Sequence, residues 1–391
     1  MDTKAVHAGR EDFARLTVHA PPLDLSSTYP IPDLGEAQEA FDALARGEAE
    51  ASNPVYARLH NPTVRRYERA LAELEGTEDA VAFASGMGGL TACLLAACGE
   101  RRHVVALRPL YGGTDHLLAC GLLGLDVSWA TEAGVASALR PDTGLVVLET
   151  PQNPTLGQVD IEAVVAAAGD VPVLVDNTFA TPILQNPAAH GAAFVLHSAT
   201  KYLGGHGDVV AGIVACSGER AARLRQVRIL TGGVLHPLAG YLLHRSLPTL
   251  PFRVREAQKR AQALAVRLAA DPRVTRVLFP DLPGQDPKGL LGRQLRGPGS
   301  VIAFEVRGGI DAAARLLASL RLVTPAVSLG STDSLIQHPA ALTHRLVDPS
   351  AKAEAGITDG LLRLSVGLED ADDLWADLSR GLAAAASVIA A

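Results

Sequence analysis

"AAFVLHSATKYLGGHGDVVAG", residues 192–212, sets an apolar run against a lysine and a glycine-rich loop. The run 192–198 is continuously apolar up to His197, which is how a strand covered on both faces reads. Ser198, Thr200 and Lys201 follow, then Gly204, Gly205 and Gly207, and then a second apolar run at 209–216. The link between the two runs is too short for a helical crossover, so the second strand pairs antiparallel. Lys201 is a costly residue beside a core strand, and its position calls for a chemical reason.

Upstream, five more runs have the same character: 80–85 (AVAFAS), 103–108 (HVVALR), 125–130 (LDVSWA), 144–150 (GLVVLET) and 171–177 (VPVLVDN). Helix-forming segments such as GLTACLLAAC (89–98) and IEAVVAAAG (161–169) lie between them. Alternation of this kind predicts an α/β domain with a mostly parallel seven-stranded sheet, helices covering both faces. Residues 1–57 are rich in proline and turn formers and lack the periodicity of a core, so they read as an arm that packs on something else. After RSLPTLPFR (245–253) a long helical pattern opens a region with strands of its own, SVIAFEV (300–306) and LLRLSVGLE (361–369). The expected division is an arm at 1–57, an α/β domain at 58–250 and a smaller α+β domain at 251–391.

The chain has 391 residues, 48% of them hydrophobic, and a formal charge of -7 without any basic stripe. Nucleic acid and an acidic membrane surface are therefore poor partners, and a small molecule or another subunit is the better expectation. No apolar run approaches the ~20 residues of a membrane span, and the first residues carry no signal-like core, which reads as a cytoplasmic protein. Cys93, Cys98, Cys120 and Cys216 have no paired spacing and sit in apolar surroundings, and His338 and His344 share no helical face, so no metal site is expected.

In an open parallel sheet, ligands bind beyond the carboxyl ends of the strands. The first run ends in Ser85-Gly86-Met87-Gly88-Gly89, the fourth in Glu149 with Asn153 close behind, the fifth in Asp176-Asn177-Thr178, and the sixth in Ser198, Thr200 and Lys201. The first of these turns leads into a helix and offers backbone N–H groups to a phosphate. A dinucleotide is the rival ligand: GMGGL lacks the Gly-x-Gly-x-x-Gly spacing, while Arg108 leaves a 2′-phosphate, and hence an NADP-binding module, open. Asp176 reads equally as a helix N-cap and as a carboxylate for a pyridine nitrogen, and Lys201 as a solvated charge or as a Schiff-base amine.

The segment 176–208 (DNTFATPILQNPAAHGAAFVLHSATKYLGGHGD) resembles the signature of the pyridoxal-phosphate-dependent family of cysteine and methionine metabolism, which includes cystathionine γ-synthase, cystathionine lyases and methionine γ-lyase. The likeness extends through YARLHNPT (56–63), LYGGT (110–114), SLGSTDSLIQHPAALTH (328–344) and LLRLSVGLED (361–370). It implies fold type I, a PLP cofactor and a homotetramer built from dimers that share active sites. By the same resemblance Lys201 carries the cofactor and Asp176 faces its ring nitrogen. Ser85, Gly86, Met87, Ser198 and Thr200 hold the phosphate, Thr178 and Asn153 complete the cofactor site, and Tyr111 stacks on the ring and exchanges a proton with the substrate. Tyr56 and Arg58 reach the phosphate in the neighbouring subunit. Arg363, in the otherwise apolar LLRLSV, takes the substrate α-carboxylate with help from Asn153 and Ser328.

The branch of the family rests on fewer residues. Val327 stands where cystathionine-handling members commonly have Glu, and an apolar wall suits the S-methyl group of methionine. Gly113, Arg228 and Ile229 replace the Cys and the Lys-Asp pair usual in methionine γ-lyases. The expected activity is α,γ-elimination of a sulfur amino acid, L-methionine first, giving 2-oxobutanoate, ammonia and a thiol. Cystathionine γ-lyase is the next reading, γ-replacement of the synthase type the third, and an inactive PLP-fold protein or an NADP-binding module the non-enzyme alternative.

Overall fold

The computed structural model describes residues 1–387. Seven strands form the larger sheet: β1 (Asp79–Phe83), β2 (His103–Leu107), β3 (Asp126–Ala130), β4 (Thr143–Glu149), β5 (Val173–Asp176), β6 (Phe194–His197) and β7 (Gly212–Cys216). Their order is β1-β7-β6-β5-β4-β2-β3. The run from β3 through β6 is parallel, and β7 enters antiparallel between β6 and β1. The short 198–211 link allows no crossover helix, so the chain turns back and β7 pairs antiparallel with β6.

The apolar runs are buried on both faces because helices cover both. In β5, Leu174 belongs to the core beneath the helix Gly86–Cys98, while its neighbour Val175 belongs to the core beneath the helix Ile161–Ala168. Only β3, at the edge beside β2, is half exposed along most of its length.

A five-stranded sheet follows, with β8 (Val274–Leu278), β9 (Val301–Val306), β10 (Thr324–Pro325), β11 (Leu335–Gln337) and β12 (Leu361–Ser365) in the order β10-β11-β12-β9-β8. All its pairings are antiparallel except that of β10 with β11. The helix Leu250–Ala270 serves both cores: Leu250 and Val254 pack with the larger sheet, Ala261, Leu264, Ala265 and Leu268 with the smaller.

The first sixty residues are more regular than their composition suggested. A helix spans Leu34–Ala45, capped by the Asp33 carboxylate accepting the Glu36 N–H at 2.9 Å. Its inward face is Ala37, Ala40 and Leu44, and two alanines leave only a faint hydrophobic period. The outer apolar groups are uncovered: Leu34 is 77% exposed, Leu25 60%, Ile31 51% and Phe41 48%. Among the described residues no helix is long and apolar enough to cross a membrane.

Candidate active site

Parallel pairing of β4 with β5 sets Glu149 directly beside Asp176 at the carboxyl ends of the two strands. Both face a cavity of about 280 Å³ between the two sheets. Glu149 accepts the Tyr111 N–H at 2.6 Å, and burial together with the neighbouring Asp176 charge pushes its carboxyl well above the ordinary range. Asp176 accepts the N–H and the hydroxyl of Thr178 at 3.0 and 2.5 Å; burial still raises its pKa, with the Thr178 bonds opposing. Two buried carboxylates side by side favour a cation between them. The capping alternative for Asp176 is not realised, since the next helix, Thr181–Leu184, begins after Ala180. Asn177 turns away, donating to Glu75 and to the Gln185 carbonyl, both at 3.0 Å.

Across the cavity Lys201 Nζ donates to Ser328 Oγ at 2.8 Å. Burial first, and the Arg363 charge second, push its pKa down to about 8. The amine is therefore far more available near neutrality than that of a surface lysine.

The glycine turn after β1 is shaped by close approach. A Cβ on Gly86 would lie 3.1 Å from Ser198 Cα, and one on Gly212 would strike the Ser85 carbonyl and lie 2.6 Å from Gly86 N. Ser85 caps the helix Gly86–Cys98 by accepting the Gly88 N–H at 3.1 Å, which leaves the first helical amides turned to the cavity. Met87, Ser198 and Thr200 line the same end. Thr178 Oγ1 accepts the Ser198 N–H at 2.8 Å, and the Thr200 hydroxyl pairs both ways with the Ala211 backbone at 3.0 and 3.2 Å, so the Ser198–Lys201 turn is fixed on two sides.

The far wall comes from the smaller sheet. Arg363 of β12 is 3% exposed; its Nη1 donates to Asn153 Oδ1 at 2.9 Å and its Nη2 to the Ser328 carbonyl at 2.7 Å. Its Nε is buried without a partner, and desolvation brings the guanidinium down to about 10, still charged at neutral pH. A buried cation held by two neutral oxygens has a donor left for an anion. Val327 and Tyr111, 55% and 39% exposed, also line the cavity.

Every site residue expected from the sequence lines this cavity except Tyr56 and Arg58. Arg58 stacks on the Tyr56 ring, 5.6 Å from its centroid, and donates to the Ile229 carbonyl at 2.8 Å, while Tyr56 is 45% exposed. Arg228 is bound to Glu68 at 2.6 Å. Arg108, weighed for a 2′-phosphate, is instead committed to Asp115 at 2.6 and 3.1 Å and lies over the Trp129 ring. Glu149 and Phe179 line the cavity without having been assigned a role; the Glu149 strand end was visible, but its meeting with Asp176 needed the register of β4 on β5. Among the described residues no cluster of His, Cys, Asp and Glu could hold a metal ion.

A lysine amine of lowered pKa, a buried carboxylate facing it and free amides at a helix start fit a ring aldehyde that carries a basic nitrogen and a phosphate. The fold and this donor set define a fold type I enzyme whose cofactor is pyridoxal phosphate. Residues 2–383 match the family of Cys/Met metabolism PLP-dependent enzymes, and the chain belongs to it. It is 60% identical to an L-methionine gamma-lyase of Streptomyces avermitilis over 98% of this chain and 89% of that one. It is 56% identical to an L-methionine gamma-lyase of Brevibacterium sandarakinum over 97% of each chain. A cystathionine gamma synthase of Xanthomonas oryzae pv. oryzae, solved with aminoacrylate and cysteine, superposes with a TM-score of 0.91 at 36% identity, covering 99% of this chain and 98% of that one.

Proposed function

We propose that the chain catalyses α,γ-elimination of a sulfur amino acid, L-methionine in first place. L-methionine and water become 2-oxobutanoate, ammonia and methanethiol. The observation that carries this reading is that one cavity holds the Lys201 amine, an Arg363 with an unpaired buried Nε, and the apolar Val327.

Arg363 holds the α-carboxylate through guanidinium N–H groups not used by Asn153 and the Ser328 carbonyl, which fix the plane of the group. Lys201 is the base for the α-proton and then for the β-proton, oriented by Ser328. Pyridoxal phosphate, when bound, supplies the electron sink, with Asp176 at its ring nitrogen, Thr178 and Asn153 beside the ring, and Ser85, Gly86, Met87, Ser198 and Thr200 around its phosphate. Tyr111, which lines the cavity, would lie against the ring and gives a proton to the departing sulfur, because a thiolate leaves better as a thiol. Val327 supplies an apolar contact for the S-methyl group and withholds the carboxylate that would pair with the distal ammonium of cystathionine.

The exposed apolar groups of the first sixty residues support an arm at 1–57 that packs on a second copy, with Tyr56 and Arg58 completing the partner's phosphate site. The remaining division is a cofactor domain at 58–250 and a smaller domain at 251–391. The assembly is a homotetramer of site-sharing dimers in the cytoplasm. Gly113 favours cystathionine as a second substrate: a Cβ there would lie 2.6 Å from Tyr111 Cε1, so the ring occupies the space a side chain would take.

The test mixes purified holoenzyme separately with L-methionine and L-cystathionine and follows 2-oxobutanoate, pyruvate and volatile thiol. The expected products are 2-oxobutanoate and thiol from methionine at the higher kcat/KM. Pyruvate as the main product from cystathionine, with no 2-oxobutanoate from methionine, would overturn the reading.

A further inference from the structure

His344 lies outside the cavity lining, and its imidazole makes no hydrogen bond to Lys201 or Asp176. It is nevertheless 1% exposed and bonded at both nitrogens. Nε2 faces two carbonyl oxygens, those of Leu110 and Asn153, each at 3.2 Å. Carbonyls only accept, so Nε2 carries the proton and donates to both. In the neutral ring Nδ1 is then the acceptor, and the Thr343 hydroxyl at 2.9 Å donates to it. That hydroxyl accepts in turn from Gln337 Nε2 at 2.9 Å, and Gln337 is the residue of β11 paired with Arg363 of β12. Every bond in the series thus has one direction, from Gln337 through Thr343 and His344 to the Leu110 and Asn153 carbonyls.

The ends of this series are the segments that carry the reaction. Leu110 immediately precedes Tyr111, and Asn153 accepts from Arg363. A second observation joins the same parts independently: a Cβ on Gly112 would strike the Thr343 carbonyl and lie 3.1 Å from His344 Cα. The Tyr111–Gly112 turn therefore rests directly on the Thr343–His344 backbone, with no room for a side chain between them.

We infer that His344 is a positioning residue, whose imidazole fixes the Tyr111 turn and the Asn153–Arg363 clamp at one separation so that a substrate held by its carboxylate presents its γ-sulfur to the tyrosine. The inference rests on the proposed γ-elimination. The ring is suited to the task because burial and the nearby Arg363 charge push its pKa down to about 4, which keeps Nδ1 an acceptor near neutral pH. A misplacement on the order of 1 Å between reacting groups can cost about 10²-fold in rate, so a single clamp at this point has consequence.

The test compares wild type, His344→Leu and His344→Gln as holoenzymes. Leu fills similar space without hydrogen bonds, and Gln restores a donor. His344 makes no hydrogen bond to Asp176 or Lys201, so the cofactor band should persist in both variants. Two substrates separate positioning from general damage: methionine, whose thiolate needs a proton, and O-acetyl-L-homoserine, whose carboxylate leaving group does not. In His344→Leu, kcat on methionine should fall about 10²-fold and kcat on the acetyl ester much less. KM should rise on both, with Gln recovering most of each loss. Binding of L-norleucine, which has no leaving group, read by calorimetry, should weaken about tenfold in the Leu variant, the worth of roughly one hydrogen bond. Equal loss on both substrates in proportion to lost cofactor, or unchanged norleucine binding, would overturn the inference. Wild type that fails to cleave methionine while norleucine binding still responds to His344 would sink the elimination reading and leave the clamp on Arg363 standing.

Discussion

Asp176, Glu149 and Ser198 stand at the ends of strands paired residue for residue inside a buried parallel sheet, whereas Val327 and Ser328 stand on a loop between a strand of 2 residues and one of 3 residues. The first wall is crosslinked at several of its cavity-lining residues: Thr178 to Asp176 and Ser198, Thr200 to Ala211, Ser85 to the helix it caps. The second wall is anchored at Arg363 and leaves Val327 open to solvent. A residue on the first wall cannot move without disturbing the sheet, so that wall suits chemistry common to a family. A loop that can change without cost to a core is where substrate choice belongs.

Substitutions on the two walls should therefore fail in different ways. Lys201→Ala, on the sheet side, should abolish the visible band of the covalently held cofactor and cut turnover by about 10⁴-fold; a retained band would deny the lysine its role. Asp176→Asn should keep the cofactor bound but lower kcat by about 10²–10³-fold, since a neutral amide cannot hold the ring nitrogen protonated; kcat within threefold of wild type would contradict this. On the other wall, Arg363→Leu deletes a charge-assisted contact of about 1.5–3 kcal/mol. KM for methionine should rise by about 10–150-fold with the cofactor spectrum unchanged, and an unaltered KM would remove the arginine from carboxylate binding.

The smallest expected effect is one of pH. Because the Lys201 pKa is lowered to about 8, the fraction of free amine grows as pH rises through 8 and is nearly complete well below the 10.5 of an ordinary lysine. The rate at which apoenzyme takes up pyridoxal phosphate should climb about fivefold from pH 7 to pH 8 and level off by pH 9. A rate still rising steeply between pH 9 and pH 10.5 would place the amine in ordinary solvent.

The same contrast governs what could be read from the sequence. Six strands of the larger sheet announce themselves as near-continuous apolar runs, β3 with Asp126 and Ser128 less clearly, and the antiparallel turn of β7 follows from a short link. The smaller sheet yields only β9 and β12 in this way. β8 reads VTRVL and is half exposed, and β10 is too short to carry a period. The arm helix escaped because alanines make most of its buried face. In the site, strand ends point to Asp176 and Lys201. Glu149 is visible as a strand end, but its meeting with Asp176 is a matter of register, and His344 acts on backbone carbonyls that leave no mark in a sequence.

The division of labour between the walls is tested most directly by Val327→Glu, with kcat/KM measured for methionine and for cystathionine alongside the cofactor spectrum. The expected result is an unchanged spectrum, 2-oxobutanoate still formed, and a methionine-to-cystathionine ratio lowered by about 10-fold or more, in keeping with pocket effects of roughly 1–3 kcal/mol. A ratio that does not move, or a cofactor band that does, would show that substrate choice and chemistry are not held on separate walls.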